Sequence, residues 1–253
     1  MELSLTARGS THIGRVRANN QDSFLVDPSH GLLIVADGMG GHAGGEIASK
    51  LAIEKIKNFV TDRNQPETQN AFEAKSETAT AFATSLLSDA INHASQSIYE
   101  RALEEPSLKG MGTTATVAKL RGGQFLGAHV GDSRLYLLRC GLMYQITYDH
   151  SLVQEQVRAG LISKEDAEHH HLRNVITRSV GYQEEEEVDS FSIDCESGDY
   201  VLLCSDGLHG KVLAKEMAAN IKSHGLKAVE ALIDLANERG GDDNITVVIG
   251  LVS

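Results

Sequence analysis

Five aspartates of this sequence stand at the ends of apolar runs or beside glycine-containing turns. Asp37 follows the run Leu32–Ala36, Asp206 follows the run Val201–Ser205, and a glycine comes directly after each aspartate. The other three are Asp22, Asp132 and Asp243. A strand fixes the direction of a carboxylate at its end, and a neighbouring glycine leaves room for an ion to approach. Each pair alone could be an ordinary turn, but together they predict carboxylates that meet at one edge of a sheet.

Carboxylates gathered at one edge repel one another, so this arrangement predicts a bound cation. Oxygen ligands suit hard ions such as Mg²⁺ or Mn²⁺, which keep several water molecules when a protein binds them. The sequence has no cluster of His and Cys residues with the ligand spacing of a zinc site. The run His169–His171 lacks spaced partners, and we expect it on the surface.

Helices and short strands must position these aspartates. Apolar residues recur at helical spacing over Ala43–Val60 and from about Asn70 to Glu105, after which Pro106 ends the second helix. Further helices are predicted around 153–161, from a capping box at Ser163 and Asp166, and over 214–239. Strands are predicted at 113–120, 124–130, 134–139, 143–147, 188–195, 199–205 and 245–252.

The order of these elements predicts an α+β fold. Arg121–Gly123 and Cys140–Gly141 are tight turns, and links this short join antiparallel neighbours. Strands without regular βαβ alternation, and helices in separate blocks, indicate a layered sandwich. The chain has three prolines and lacks a Gly/Ser/Pro-rich linker, so we expect a single domain over residues 1–253.

Composition excludes several classes of partner. The 253 residues include 23 Lys and Arg against 35 Asp and Glu, which gives a formal net charge of −12. This balance argues against nucleic acid, whose binding depends on clustered Lys and Arg. No run approaches the about 20 apolar residues of a membrane span, and the first residues lack a signal-peptide pattern. We therefore expect a cytoplasmic monomer without a membrane partner, whose three cysteines are buried free thiols.

Seven short motifs identify a family that this sequence resembles. They lie, in order, at Arg17–Asp22, Asp37–Glu46, Gly112–Ala115, Gly131–Arg134, Asp149–Ser151, Ser205–Leu208 and Asp242–Thr246. The same order is typical of the type 2C metal-dependent protein Ser/Thr phosphatases (the PPM family). The resemblance extends from about Ser4 to Val252, and the pattern DGMGGHAGGE resembles the compact bacterial form in particular. Each motif alone is weak, and their ordered occurrence makes the resemblance specific.

The resemblance implies a four-layer αββα sandwich of two antiparallel β-sheets flanked by helices. It also implies a binuclear Mn²⁺ or Mg²⁺ centre at one end of the sandwich. Asp37 matches the acid that bridges the two ions, and the carbonyl of Gly38 matches a ligand of one of them. Asp206 and Asp243 match the acids that complete the pair.

Further residues carry over from the family with two departures. Asp22 matches an acid that acts through water, and Asp132 matches a ligand of a third, weaker ion. Arg17 matches the arginine that binds the phosphate, because its planar fork suits two phosphate oxygens. Gln21 stands where the family often has glutamate. Gly210 stands where some members have another aspartate, which removes a partner of Asp132 at the third ion.

The activity implied is hydrolysis of phosphoserine and phosphothreonine in proteins by a metal-activated water, without a phospho-enzyme. Met39 stands where larger members have a histidine, so His42 is the nearest candidate to protonate the leaving oxygen. A metal-bound water is the alternative, and His42 could instead cap the following helix. Asn244 is expected to orient Asp243 or a metal-bound water, or else to form a turn. For His150 we expect a structural hydrogen bond.

Two other functions fit parts of the sequence. One is a non-catalytic, phosphoprotein-binding regulatory module on the same fold, which the departures Gln21 and Gly210 suggest. The other is a small-molecule phosphoesterase. Retention of Asp37, Asp206 and Asp243 favours the enzyme over the regulatory module. The expected partners are phosphoprotein substrates, a Ser/Thr kinase and the targets of that kinase.

Overall fold

Two β-sheets packed face to face form the centre of the computed structural model, which describes residues 3–41, 43–62, 71–72, 76–168 and 170–253. The strands are β1 (Leu5–His12), β2 (Asp22–Asp27), β3 (Leu32–Met39), β4 (Gly112–Thr113), β5 (Ala115–Arg121), β6 (Gln124–Val130), β7 (Arg134–Arg139), β8 (Leu142–Gln145), β9 (Asp189–Asp194), β10 (Tyr200–Cys204) and β11 (Ile245–Val252). The α-helices in this part of the chain are α1 (Gly44–Thr61), α2 (Glu77–Glu104), α3 (Leu152–Arg158), α4 (Lys164–Glu168), α5 (Asp206–His209), α6 (Ala214–His224) and α7 (Ala228–Glu238).

The strands pair into two antiparallel sheets. Sheet I has the order β1-β11-β10-β7-β8, and sheet II has the order β2-β3-β5-β6-β9, with β4 paired to β3. The hairpins β5–β6 and β7–β8 form at the predicted glycine turns, and Cys140 has a left-handed φ of 51° in the second turn. The link 131–133 between β6 and β7 instead crosses from sheet II to sheet I. It brings Asp132 to the end of the sandwich where the sheets meet.

Apolar residues on both faces of the sheets build three core layers. Leu33 and Val35 of β3 face the space between the sheets, where they pack with Leu203 of β10. Leu32 and Ile34 of the same strand face the opposite way and pack with α1 and α2. A second outer layer joins β10 and β11 to α6 and α7. The predicted four-layer α+β sandwich is confirmed.

The helices follow the predicted periodicity closely. Helix α1 buries Ala48, Ala52 and Ile56, which recur every four residues and face sheet II. Helix α2 starts at Glu77, where the Ser76 side chain accepts a hydrogen bond from the amide of the third helical residue. The predicted start near Asn70 lies outside the described residues.

The boundaries of some elements differ from the sequence prediction. Strands β1 and β2 were not delimited by periodicity, because most of their residues are only partly buried. Strand β3 continues through Asp37 and Gly38 to Met39, so Asp37 lies inside the strand and not after it. Cys195 and Cys204 are buried free thiols as expected, but Cys140 is exposed in its turn. None of the helices in the described ranges is long and apolar enough to cross a membrane.

Candidate active site

The five predicted aspartates come together at one end of the sandwich, and both sheets contribute them. Asp22 begins β2 and lies directly opposite Asp37 of β3 in the antiparallel register. Asp206 follows β10 as the first residue of α5, and Asp243 lies two residues before β11. Asp132 lies in the link between the sheets. Their charges act on one another, since those of Asp22, Asp206, Asp132 and Asp243 all raise the pKa of Asp37.

Asp22 connects the two sheets through hydroxyl groups. Its Oδ2 accepts hydrogen bonds from Ser205 Oγ at 2.7 Å and from Thr246 Oγ1 at 2.6 Å. Ser205 precedes Asp206 in the chain, and Thr246 belongs to β11, so both donors come from sheet I. The other oxygen, Oδ1, is buried without a hydrogen-bond partner. Neither Ser205 nor Thr246 is distinguished as a site residue by spacing in the sequence, although both belong to the matched motifs.

Backbone contacts fix the position of Asp37. Its N–H donates to Thr114 Oγ1 at 2.9 Å, and its carbonyl accepts from Thr113 Oγ1 at 2.9 Å and Thr114 N at 2.8 Å. The neighbouring Gly38 is tightly enclosed, because an added Cβ would lie 2.0 Å from the carbonyl oxygen of Gly45. The matched motif around Thr113 therefore holds the strand end that carries Asp37.

Burial and mutual repulsion raise the pKa values of the carboxyl groups in this cluster. Burial raises the pKa of Asp22 to about 6 and of Asp132 to about 6, and nearby carboxylates add to both shifts. Burial, together with the charges of Asp132 and Asp243, raises the pKa of Asp206 to about 8. The pKa of Asp37 is also well above its ordinary value, first because of burial. A bound cation would favour the charged forms of all these groups.

The donor set fits a hard divalent ion. Oδ1 of Asp22 and Oδ1 of Asp206 are both buried without a partner, and a buried unpaired oxygen is costly unless it has a ligand. Within the described residues, no three His, Cys, Asp or Glu side chains are grouped to hold one ion. Mg²⁺ in proteins takes few carboxylates and completes its coordination with water and backbone oxygen, and the donors here are of that kind.

Arg17 lies beside this cluster, in the loop between β1 and β2. Its Nη2 donates to Asp243 Oδ2 at 2.6 Å, and this hydrogen bond is the main reason why its pKa is raised. The charges of Asp206 and Asp37 raise the pKa of Arg17 further. About half of the Arg17 side chain is exposed, so its remaining donors can reach a ligand from solvent.

Asn244 holds the loop that carries Arg17. Its Oδ1 accepts from Gln21 N at 2.8 Å, and its Nδ2 donates to the carbonyls of Ile13 at 2.9 Å and Asn19 at 3.0 Å. The predicted orientation of Asp243 comes from the backbone N–H of Asn244, which donates to Asp243 Oδ1 at 2.9 Å. The side-chain amide of Asn244 makes the three loop contacts instead.

Two of the histidines predicted near the site, His42 and His150, have different outcomes. His42 lies outside the described residues. His150 is buried, and its Nδ1 accepts from Gly131 N at 3.1 Å, which agrees with a structural role. The structure adds His209, whose Nε2 lies 3.0 Å from the carbonyl of Asp132. The sequence gives no spacing signal for His209 beyond its position directly after the matched motif that contains Asp206.

A sequence model of one family, described as protein phosphatase 2C, matches residues 8–239 of the chain. The chain belongs to the protein phosphatase 2C family. The family resemblance predicted from the ordered motifs is thereby confirmed. The serine/threonine phosphatase Stp of Listeria innocua is 38% identical to this chain over 244 residues, or 94% of this chain and 92% of that protein.

Solved structures of serine/threonine phosphatases superpose on nearly the whole chain. The serine/threonine phosphatase PstP/Ppp of Mycobacterium tuberculosis has a TM-score of 0.86 and 35% identity, and the match covers 98% of both chains. The catalytic domain of PstP in complex with two manganese ions has a TM-score of 0.83 and 35% identity, with 99% of both chains covered.

Proposed function

We propose that this chain is a protein serine/threonine phosphatase that uses two Mn²⁺ or Mg²⁺ ions. The observation that carries the proposal is the group of buried aspartates whose pKa values are raised and whose oxygens at Asp22 and Asp206 lack partners, beside Arg17. The relatives named as serine/threonine phosphatases support the substrate class, and the manganese-bound PstP structure supports the ions.

Four groups would hold the two ions in this proposal: the carboxylates of Asp37, Asp206 and Asp243, and the carbonyl of Gly38. When bound, such a pair of ions lowers the pKa of a water molecule and offsets the charge of the phosphate. Asp22 would act through water, because its Oδ2 already accepts hydrogen bonds from two hydroxyl groups. We keep Asp132 as a ligand of a third, weaker ion.

The protein groups around the phosphate have separate tasks. Arg17 offers a planar fork to two phosphate oxygens and stabilises the charge that develops on them. Asn244 fixes the loop from which Arg17 projects, which limits the positions that the guanidinium can take. The oxygen that leaves with the serine or threonine needs a proton, and we assign its donation to His42, with a water molecule at the site as the alternative.

The wider role follows from the same chemistry. The substrates would be phosphoproteins, including a Ser/Thr kinase of the same cell and the targets of that kinase. The protein would act as a cytoplasmic monomer, with residues 1–253 as one catalytic domain. Retention of Asp37, Asp206 and Asp243 favours the enzyme over a non-catalytic phosphoprotein-binding module, which could lose these groups without losing its fold.

The test compares the wild-type protein with Asp37→Asn and Asp206→Asn. We expect Mn²⁺-dependent hydrolysis of an aryl phosphate and of phosphoserine and phosphothreonine peptides, and loss of this activity in EDTA. Each substitution should lower turnover by about 10²- to 10³-fold, because it removes charge where the ions bind. Turnover that persists in EDTA, or near-wild-type rates in a folded Asp37→Asn protein, would contradict the proposal.

A further inference from the structure

A cavity of about 780 Å³ lies at the turn of the β5–β6 hairpin, far from the aspartates. It is bordered by the start of α2, the turn between β5 and β6, and the outer face of the edge strand β9. Hydroxyl groups of Ser76, Thr80, Ser190 and Ser192 line it, together with Arg121. The lining is therefore rich in hydrogen-bond donors.

Arg121 has a donor that the protein does not use. Its side chain is 8% exposed, its Nε donates to the carbonyl of Phe72 at 3.1 Å, and its Nη1 donates to Thr80 Oγ1 at 3.0 Å. The third nitrogen, Nη2, is buried and has no hydrogen-bond partner. Arg121 forms no ion pair within the described part of the chain. A buried guanidinium with an unused donor, and with no ion pair to the described residues, favours an anionic ligand.

The start of α2 adds donors to the same cavity. This helix is 28 residues long, and Ser76 Oγ accepts from the amide of Ala79 at 3.1 Å. The amides of Glu77 and Thr78 have no acceptor within the helix, because the first turn lacks preceding carbonyls. The positive end of the helix dipole acts on the cavity from this side.

Two carboxylates also line the cavity and limit what it can bind. Asp194 Oδ1 accepts from Gln124 Nε2 at 2.7 Å, and Thr80 Oγ1 lies 3.3 Å from Gln124 Oε1, so these groups form one network with Arg121. Glu77 lies in the first turn of α2. Its charge opposes an anion, so affinity should rise when that charge is removed.

We propose that this cavity binds an oxyanion, a phosphate or carboxylate group held by Arg121 and the start of α2. The cavity lies at the turn of the β5–β6 hairpin, and the acidic site lies near its open end, where β5 begins at Ala115 and β6 ends at Val130. Seven residues per strand at about 3.3 Å per residue separate the sites by about 20 Å. The oxyanion therefore binds away from the reacting phosphate, at a second site of the fold.

The experiment titrates the full chain, loaded with Mg²⁺, with inorganic phosphate and separately with acetate. Amide chemical shifts of Gly122 and Gly123, which lie in the turn that lines the cavity, report binding there. We expect saturable shifts with at least one anion, and the stronger of the two identifies phosphate or carboxylate as the ligand group. Absence of saturable shifts at both amides with both anions overturns the proposal, even if amides near Asp37 respond.

Variants test whether the named groups bind the anion. Arg121→Gln should weaken the titration at Gly122 by about tenfold or more, since it removes a charged donor. If that variant fails to fold, Arg121→Lys keeps the charge without the fork and should bind at an intermediate affinity. Glu77→Gln should tighten binding about two- to fivefold, whereas Glu100→Gln, exposed on the same helix, should leave it unchanged. Wild-type affinity in the folded Arg121 variant, or equal effects of the two glutamate variants, overturns the proposal.

Discussion

At the scale of single residues, the neighbours of each aspartate decide how strongly it depends on a cation. Asp22 receives two hydroxyl hydrogen bonds, which offset part of the effect of burial and leave its pKa at about 6. Asp206 has an oxygen without a partner, and burial with nearby carboxylates raises its pKa to about 8. Ion binding should therefore stabilise the charged form of Asp206 more than that of Asp22.

The adjacent pair Asp242 and Asp243 allows a matched test of the metal assignment. Asp243→Asn should lower kcat/KM by about 10²-fold or more, because it removes a charge from the cluster. Asp242→Asn should change it by less than about threefold, since Asp242 pairs with Lys211 at the surface. Activity at saturating Mn²⁺ and calorimetric Mn²⁺ binding measure both effects. Equal losses in the two variants would contradict the assignment of Asp243.

Arg17 should contribute to phosphate binding through its geometry as well as its charge. Arg17→Gln should lower kcat/KM by about 10²-fold, and Arg17→Lys should recover only part of that loss. Arg8→Gln is the control, because Arg8 forms an exposed ion pair with Glu230. Steady-state kinetics with a phosphothreonine peptide separate kcat from KM. Full activity of Arg17→Lys would rule out the two-oxygen contact.

At the scale of elements, the loop between β1 and β2 is held from the far end of the chain. Asn244 lies just before β11. Its side chain contacts the backbone at residues 13, 19 and 21. The loop carries Arg17, and Asp22 follows it as the first residue of β2. The side-chain amide of Asn244 therefore positions both Arg17, which we propose binds the phosphate, and Asp22, an acid of the cluster.

Asn244→Ala should affect stability and catalysis together. It removes three hydrogen bonds, which should lower the free energy of unfolding by about 1.5–4.5 kcal/mol. It should also lower kcat/KM at a Mn²⁺ concentration that saturates the wild type. Asn220→Ala is the control, because Asn220 Nδ2 makes one bond within α6, to Glu216 O at 3.0 Å. Urea unfolding and kinetics measure the two effects. Unchanged kcat/KM in Asn244→Ala would show that these three hydrogen bonds do not position Arg17.

Sequence patterns predicted the local parts of this structure better than the long-range parts. Helix α1 and the hairpins at Gly122 and Gly141 follow from periodicity and turn residues within a few positions. The partners of Asn244 are more than 220 residues away, so no spacing rule could reveal them. The resemblance indicated which aspartates meet, but the hydroxyl donors of Asp22 required the register of both sheets. The link that contains Asp132 crosses from one sheet to the other. This crossing also depends on packing between residues that are far apart in the chain.

At the scale of the whole molecule, the acidic site is a place where the two sheets repel each other. Sheet II supplies Asp22 and Asp37, whereas Asp206 and Asp243 lie beside strands of sheet I. Part of the formal net charge of −12 is therefore concentrated across one end of the sandwich. Ions bound there would join the sheets as well as offset the charge.

The stability of the metal-free protein should fall as pH rises from 7 to 8. The folded pKa of Asp206 is about 8 against an ordinary value of 3.8, so the folded state releases a proton that the unfolded state has already lost. His129 and His209 oppose this trend weakly, because burial lowers their folded pKa values while their unfolded imidazoles still bind some protons near pH 7. Adding Mg²⁺ should raise Tm more at pH 8 than at pH 7.

The variant Asp206→Asn isolates this contribution. Lys119, whose pKa burial lowers to about 8, titrates at the top of the range in both proteins and cancels in the comparison. Thermal unfolding in EDTA should show a smaller pH dependence of Tm for Asp206→Asn than for the wild type. An equal pH dependence in both proteins would mean that Asp206 is already charged in the metal-free fold.

The position of β11 has a consequence for biosynthesis. This strand pairs with β1 on one side and β10 on the other, so residues 245–252 lie between these two strands in sheet I. A nascent chain on the ribosome can form the β5–β6 hairpin early, but it cannot complete sheet I until these last residues emerge. The contacts of β11 with β1 span almost the whole chain, which slows their formation. The enzyme should therefore acquire its ion-binding site only after translation of the domain is finished, and incomplete chains should remain inactive.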